Sequence, residues 1–261
     1  MNAEFQKYFP ISEITPILRN LETNRYWINE NLLVVQSRNK KYNIAKVIIS
    51  IIDEYIKAKQ DSFKRFIEQC EKLQNIDNND EEGIYCFIEE ILAPNVDARL
   101  FEIVSYAILK YYYKGKSIIW GYSFEQLNEE SLKLYKTGRT NANDGGIDFV
   151  MRPLGRFFQV TETLDFKKYF LDIEKVEKFP ITFVIKSVED IEVLKQKLRL
   201  DAVRIYVIEN IVDKYMECIE EIINIPILLR YFQELRINGT ASNVLNEIIL
   251  QSKIEFNYEE E

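Results

Sequence analysis

Gly145-Gly146-Ile147-Asp148-Phe149-Val150, followed by the turn Pro153-Leu154-Gly155 and then by Phe157-Phe158-Gln159-Val160-Thr161-Glu162, reads as a β-hairpin with polar groups planted on an apolar sheet. Pro and Gly between two apolar runs supply the turn. Period-2 alternation sends Gln159 and Thr161 to one face and Phe158 and Val160 to the other, with Asp148 on the first strand opposite the polar pair. A carboxylate in a strand that otherwise reads Ile147, Phe149, Val150 is costly to bury without a partner or a metal. Carboxylate, amide and hydroxyl oxygens on adjoining strands form a hard-oxygen cluster of the kind that holds Mg²⁺, with Asp148 and Gln159 as the expected ligands.

Outward from the hairpin, the pattern alternates helices and strands. Asp97 is placed to cap a helix through Leu100, Phe101, Ile103, Val104, Ala107 and Ile108 that ends near Gly115. A short strand is expected over Ser117 to Tyr122, an amphipathic helix over Leu164 to Phe179 and a buried strand over Ile181 to Ile185. A helix from Val188 to Leu200 and a strand over Val203 to Ile208 follow. Asn210 to Ile223 and Ile227 to Leu250 read as closing helices. The fold class is therefore α/β, a mixed β-sheet flanked by helices.

Before residue 95 the chain reads as helical. Ile44, Val47, Ile48, Ile51, Ile52 and Ile56 recur at helical spacing, continued by Phe63, Phe66, Ile67 and Cys70. Three regions are expected: 1–95, a helical region that caps the core, reads DNA or dimerises; 96–225, the core; and 226–261, a C-terminal helix with an acidic tail.

Gly-Gly-Ile-Asp followed by apolar-apolar-Gln-x is similar to the PD-(D/E)XK nucleases, in particular the Mrr-like restriction endonucleases, whose second motif is often Gln-x-Lys. The resemblance spans roughly residues 99 to 209, and the element order also resembles that family's αβββαβ core. It puts the family's Asp on Asp148, its Glu/Gln on Gln159 and its Lys on Thr161, which cannot carry a positive charge. Lys167 and Lys168, at the start of the next helix, are the expected substitutes. Glu162 is a weaker one, because strict alternation turns it away from Asp148 unless a bulge intervenes. Glu102 resembles the additional carboxylate that many members place on the preceding helix.

The resemblance implies a Mg²⁺-dependent type II site-specific deoxyribonuclease acting on double-stranded DNA. It also implies a homodimer and a cognate DNA methyltransferase in the same restriction-modification system. No Gly-x-x-x-x-Gly-Lys loop is present to suggest a motor subunit. Lys136, Arg139, Asn141 and Asn143 in the polar loop before Asp148, with Arg152 and Arg156 beside the hairpin turn, are the expected DNA contacts.

Net charge argues the other way, since 34 basic against 42 acidic residues leave −8, whereas nucleic-acid binders usually carry a basic face. The window 131–156 nevertheless holds five basic residues, Lys133, Lys136, Arg139, Arg152 and Arg156, against Asp144 and Asp148 only. Three widely spaced cysteines and the absence of histidine exclude histidine catalysis and ordinary zinc sites. With no leader-like or membrane-length segment, a cytoplasmic protein without membrane contact is expected. Two other readings compete: a catalytically altered relative serving as a DNA-binding or assembly subunit, and a helical interaction protein in which the Asp148 region is structural.

Overall fold

The computed structural model describes residues 2–8, 10–11, 13–75, 81–138, 147–206 and 208–256. Two compact units divide at Glu68/Gln69. The first holds helix α1 (Asn2–Tyr8) and two antiparallel hairpins, β1 (Ile17–Asn20) with β2 (Arg25–Ile28) and β3 (Val34–Ser37) with β4 (Lys40–Asn43). Most of the long helix α2 (Ala45–Asn75) belongs to it as well. The expectation of an all-helical region up to residue 95 is corrected by these four strands. Every residue of β2 and β4 is exposed, so no alternation of apolar and polar residues announced them.

In the second unit, helices α3 (Glu81–Ile91) and α4 (Ala98–Lys114) precede a small hairpin of β5 (Ser117–Trp120) and β6 (Asn128–Ser131). The main sheet then begins with β7 (Lys133–Lys136), β8 (Phe149–Arg152) and β9 (Arg156–Thr161). After them come α5 (Phe166–Lys175), β10 (Ile181–Ile185), α6 (Ile191–Ile205), α7 (Glu209–Glu217) and β11 (Ile219–Asn224). Helices α8 (Ile225–Ile237) and α9 (Ala241–Glu255) close the chain. The five strands lie in the order β11-β10-β9-β8-β7, with β9, β10 and β11 parallel and β7 and β8 antiparallel. The chain is thus mixed α/β, its mixed sheet flanked by helices.

Side-chain capping sets the helix starts. Asp97 Oδ1 accepts the Arg99 N–H at 3.0 Å at the head of α4, and Asp165, Asp190 and Asn224 do the same for α5, α6 and α8. Gly239, at φ +67°, takes the left-handed conformation that separates α8 from α9. All five residues of β10 are buried, as a parallel strand covered on both faces requires.

One face of the sheet packs on α5, α6 and α7 through Tyr169, Ile173, Phe183, Leu194, Leu198 and Val212. The other face meets α4, where Phe149 lies 5.2 Å from the Tyr106 ring and Phe158 lies 6.1 Å from Tyr113. Helix α4 in turn carries α8 and α9 on its far side. It is buried without interruption from Phe101 to Leu109.

Three expectations shift. The Ser117–Tyr122 strand forms, but it pairs with β6 outside the main sheet, whose first strand is β7. Of the run expected as a strand over 203–208, Val203 to Ile205 form the last turn of α6, whose core contacts Leu198 and Ala202 continue into it. The fifth strand is Ile219–Asn224, within the segment expected as helix, because Ile222 and Ile223 bury beside β10. Among the described residues no helix is long and apolar enough to cross a membrane.

Candidate functional site at one end of the sheet

The carboxyl ends of β7, β9 and β10 and the amino end of β8 coincide, because β8 alone runs against its neighbours in this part of the sheet. Reading across that end gives Lys186 just after β10, Glu162 just after β9, Asp148 just before β8 and Lys136 closing β7. Adjacent strands lie about 4.8 Å apart, so the four side chains form a row on the order of 15 Å long. The carboxyl ends of parallel strands are where open α/β sheets hold their ligands.

Asp148 sits in a β-bulge. Its N–H donates to the Phe158 carbonyl at 3.0 Å on one side, while its carbonyl accepts the Thr137 N–H at 3.0 Å on the other. Phe149 also pairs with Phe158, so two residues of one strand face one of the next. Alternation breaks here: Ile147 packs in the α5-side core, whereas Phe149, two residues on, packs on α4. The Asp148 carboxylate then takes the place of a ladder carbonyl, accepting the Val160 N–H on Oδ2 at 2.6 Å. This charged acceptor ties the two site strands together.

The bulge changes which residues of β9 accompany Asp148. Gln159 and Thr161 lie on the α5 face, where Gln159 pairs in register with Phe183 and Thr161 with Ile185. Thr161 is buried, and its hydroxyl closes a local turn with Thr163, which donates to it and accepts from it. The nearby Tyr169 hydroxyl is pushed well above the ordinary phenol range by burial, opposed by Thr161. Gln159 donates weakly to the Val160 carbonyl at 3.4 Å, and its Oε1 is buried without a partner among the described residues. Glu162, on the α4 side, is the residue of this strand end that carries charge, and it pairs with Lys186.

The remaining expected residues divide sharply. Glu102 and Lys136 form a nearly buried ion pair at 3.0 Å between α4 and β7, so Lys136 is committed inside the fold and Glu102 has a structural partner. Lys167 and Lys168 are exposed on α5. Arg152, which is exposed, and Arg156 lie at the turn end of the hairpin, roughly 13 Å along the strands from Asp148 at 3.3 Å per residue. Arg156 is held by Glu221, by Glu220 at 3.3 Å and by the Thr182 hydroxyl at 2.9 Å, with its guanidinium over the Phe158 ring. Arg139, Asn141 and Asn143 lie outside the described residues.

Arg156→Ala is therefore expected to lower stability by about 1 to 2 kcal/mol, since its glutamate partners are part-exposed and screened. Any binding of duplex DNA should stay unchanged. Urea melts beside fluorescence anisotropy check both, and weakened binding at unchanged stability would restore Arg156 as a DNA contact.

Among the described residues no three His, Cys, Asp or Glu side chains converge. Mg²⁺ does not require such a cage, because it keeps several waters and is held by one or two carboxylates together with substrate phosphates. Asp148 and Glu162 on adjoining strand ends are hard oxygen donors of the right chemistry, whereas Gln159, expected as a ligand, is buried on the α5 face with Thr161.

A scan against protein-family models found no match, and searches of the curated proteins and of the solved structures likewise found none.

Sequence reasoning missed Lys186. It continues the apolar run Ile181-Thr182-Phe183-Val184-Ile185 directly, and a lysine at the end of a strand with no solvated face is the signal that pointed to it.

Proposed function

We propose that the chain is a Mg²⁺-dependent nuclease that hydrolyses phosphodiester bonds in double-stranded DNA, of the type II restriction kind. The observation that carries this reading is the row of Asp148, Glu162 and Lys186 at the carboxyl end of a sheet with the order α4-β7-β8-β9-α5-β10. With the β5–β6 hairpin inserted after α4, that order is similar to the αβββαβ arrangement that the resemblance implies, which supports the reading.

In this reading Asp148 and Glu162 would hold the metal, while Gln159, the other ligand expected from the sequence, faces the α5 side of the sheet instead. The metal supplies charge that polarises the phosphate and lowers the pKa of a bound water. Asp148, by accepting the Val160 N–H, fixes the spacing of β8 and β9. The Glu102–Lys136 pair anchors α4 to β7 beside the row and so keeps the site's floor rigid. Symmetric target sites imply a homodimer, and restriction implies a protecting methyltransferase.

A second reading is a non-cleaving DNA-binding or assembly subunit. It is favoured by Thr161, which serves as a strand-ending turn residue where the resemblance implies lysine. Long unmethylated plasmid and phage DNAs, incubated with and without Mg²⁺, separate the two. Discrete fragments that require Mg²⁺ are expected. Intact DNA from every substrate, with duplex binding retained, would select the second reading.

A further inference from the structure

Lys186 is buried where simple economy argues against it. Its backbone N–H continues the ladder to the Thr161 carbonyl at 2.9 Å, while its ammonium donates to the Val96 carbonyl, just ahead of α4, and to Glu162 Oε1. The lysine side chain is 4% exposed, yet the carboxylate that compensates it is 45% exposed. A carboxylate wetted by solvent offsets a dehydrated ammonium poorly. A neutral donor would hold the Val96 carbonyl at lower cost.

An ammonium also has three N–H groups, and the described residues provide acceptors for two. The arrangement is that of a cation held in place for an anion that arrives later. Glu162 fixes its position from β9, next to the strand end that carries Asp148.

Resting on the phosphodiester reading above, we infer that Lys186 supplies the positive charge that meets the reacting phosphate. The charge thus comes from the neighbouring parallel strand β10, and Glu162 is the positioning residue that aims it. In the reaction, water oxygen bonds to phosphorus as the bond from phosphorus to the 3′ oxygen breaks. The departing oxygen gains a proton from solvent and the attacking water releases one to solvent, so one water is consumed. Lys186 transfers no proton in this step and stabilises the charge that gathers on the phosphate oxygens.

The test uses the full chain as wild type, Lys186→Met and Lys186→Arg. Three quantities are read: cleavage of plasmid DNA in Mg²⁺, binding of a random-sequence duplex at low salt with Ca²⁺ in place of Mg²⁺, and the urea midpoint. Lys186→Met is expected to cut about 100-fold more slowly and to bind the duplex several-fold more weakly. Lys186→Arg should recover part of both. Should the methionine variant fail to fold, Lys186→Gln, which keeps a donor for Val96, takes its place.

Cleavage within threefold of wild type per folded molecule would overturn the inference and make Lys186 a strut for α4. If wild type binds the duplex without cutting it, the nuclease reading fails while weaker binding by Lys186→Met still upholds the phosphate contact; unchanged binding overturns it. If wild type neither cuts nor binds, both fall.

Discussion

On the proposed nuclease reading, Asp148→Asn is expected to lower Mg²⁺-dependent cleavage by about 10³-fold, equivalent to roughly 4 kcal/mol of transition-state stabilisation, while leaving the fold intact. Asparagine keeps an oxygen for the Val160 N–H, so the tie between β8 and β9 survives and only the charge is removed. Asp148→Ala removes both. It should lose the same activity and a further 1 kcal/mol or so of stability, because the Val160 N–H is left without its charged acceptor. Initial rates on a plasmid substrate, set beside urea melts of the three proteins, read the two effects separately. Full activity in Asp148→Asn would remove Asp148 from the chemistry and leave it as the pin of a bulge.

The second large effect is on stability. Glu102→Ala strands the Lys136 ammonium at a site where its side chain is 12% exposed, and a loss of about 3 kcal/mol is expected. Replacing both residues with methionine should recover most of that loss, since two apolar side chains of similar length refill the gap between α4 and β7 without a charge to compensate. The cleavage rate per folded molecule should change little in either variant, because Glu102 is engaged by Lys136 rather than aimed at the Asp148 row. A rate that collapses in Glu102→Ala at unchanged stability would instead assign the carboxylate to the metal.

The second unit was largely legible in the sequence wherever one physical signal dominated. The Asp97 cap and Gly115 bound α4 as expected, the Pro and Gly turn set the β8–β9 hairpin, and the fully apolar β10 announced itself. Failures came where local preference and tertiary packing disagreed. The run Val203-Arg204-Ile205 favours strand by composition, but the core contacts of α6 carry the helix into it. Ile219-Glu220-Glu221-Ile222 looks helical, yet it pairs with β10 because that edge of the sheet needs a partner.

At the candidate site, Asp148 was picked out from the sequence, but the residues that the structure places beside it were not. Period-2 reasoning from Phe158 and Val160 correctly put Gln159 and Thr161 on a common face, but the bulge frees Asp148 from that face. A single extra residue in a strand leaves no mark on composition. Only the opposite burial of Ile147 and Phe149 exposes it, and Lys186 enters the row from a strand that no motif connects to it.

Helix α4 lies between the sheet and the pair α8 and α9, and it is buried on all sides over Phe101 to Leu109. Its outer cover is made from chain that is synthesised after the sheet strands. A ribosome that has delivered residues through β10 has therefore released a helix whose outer face is still bare. Native burial of α4 must wait until α9 has emerged, and chains cut short before Ala241 should depend on chaperones or aggregate. The order of synthesis, as much as the final packing, thus sets the interval in which this protein is most vulnerable.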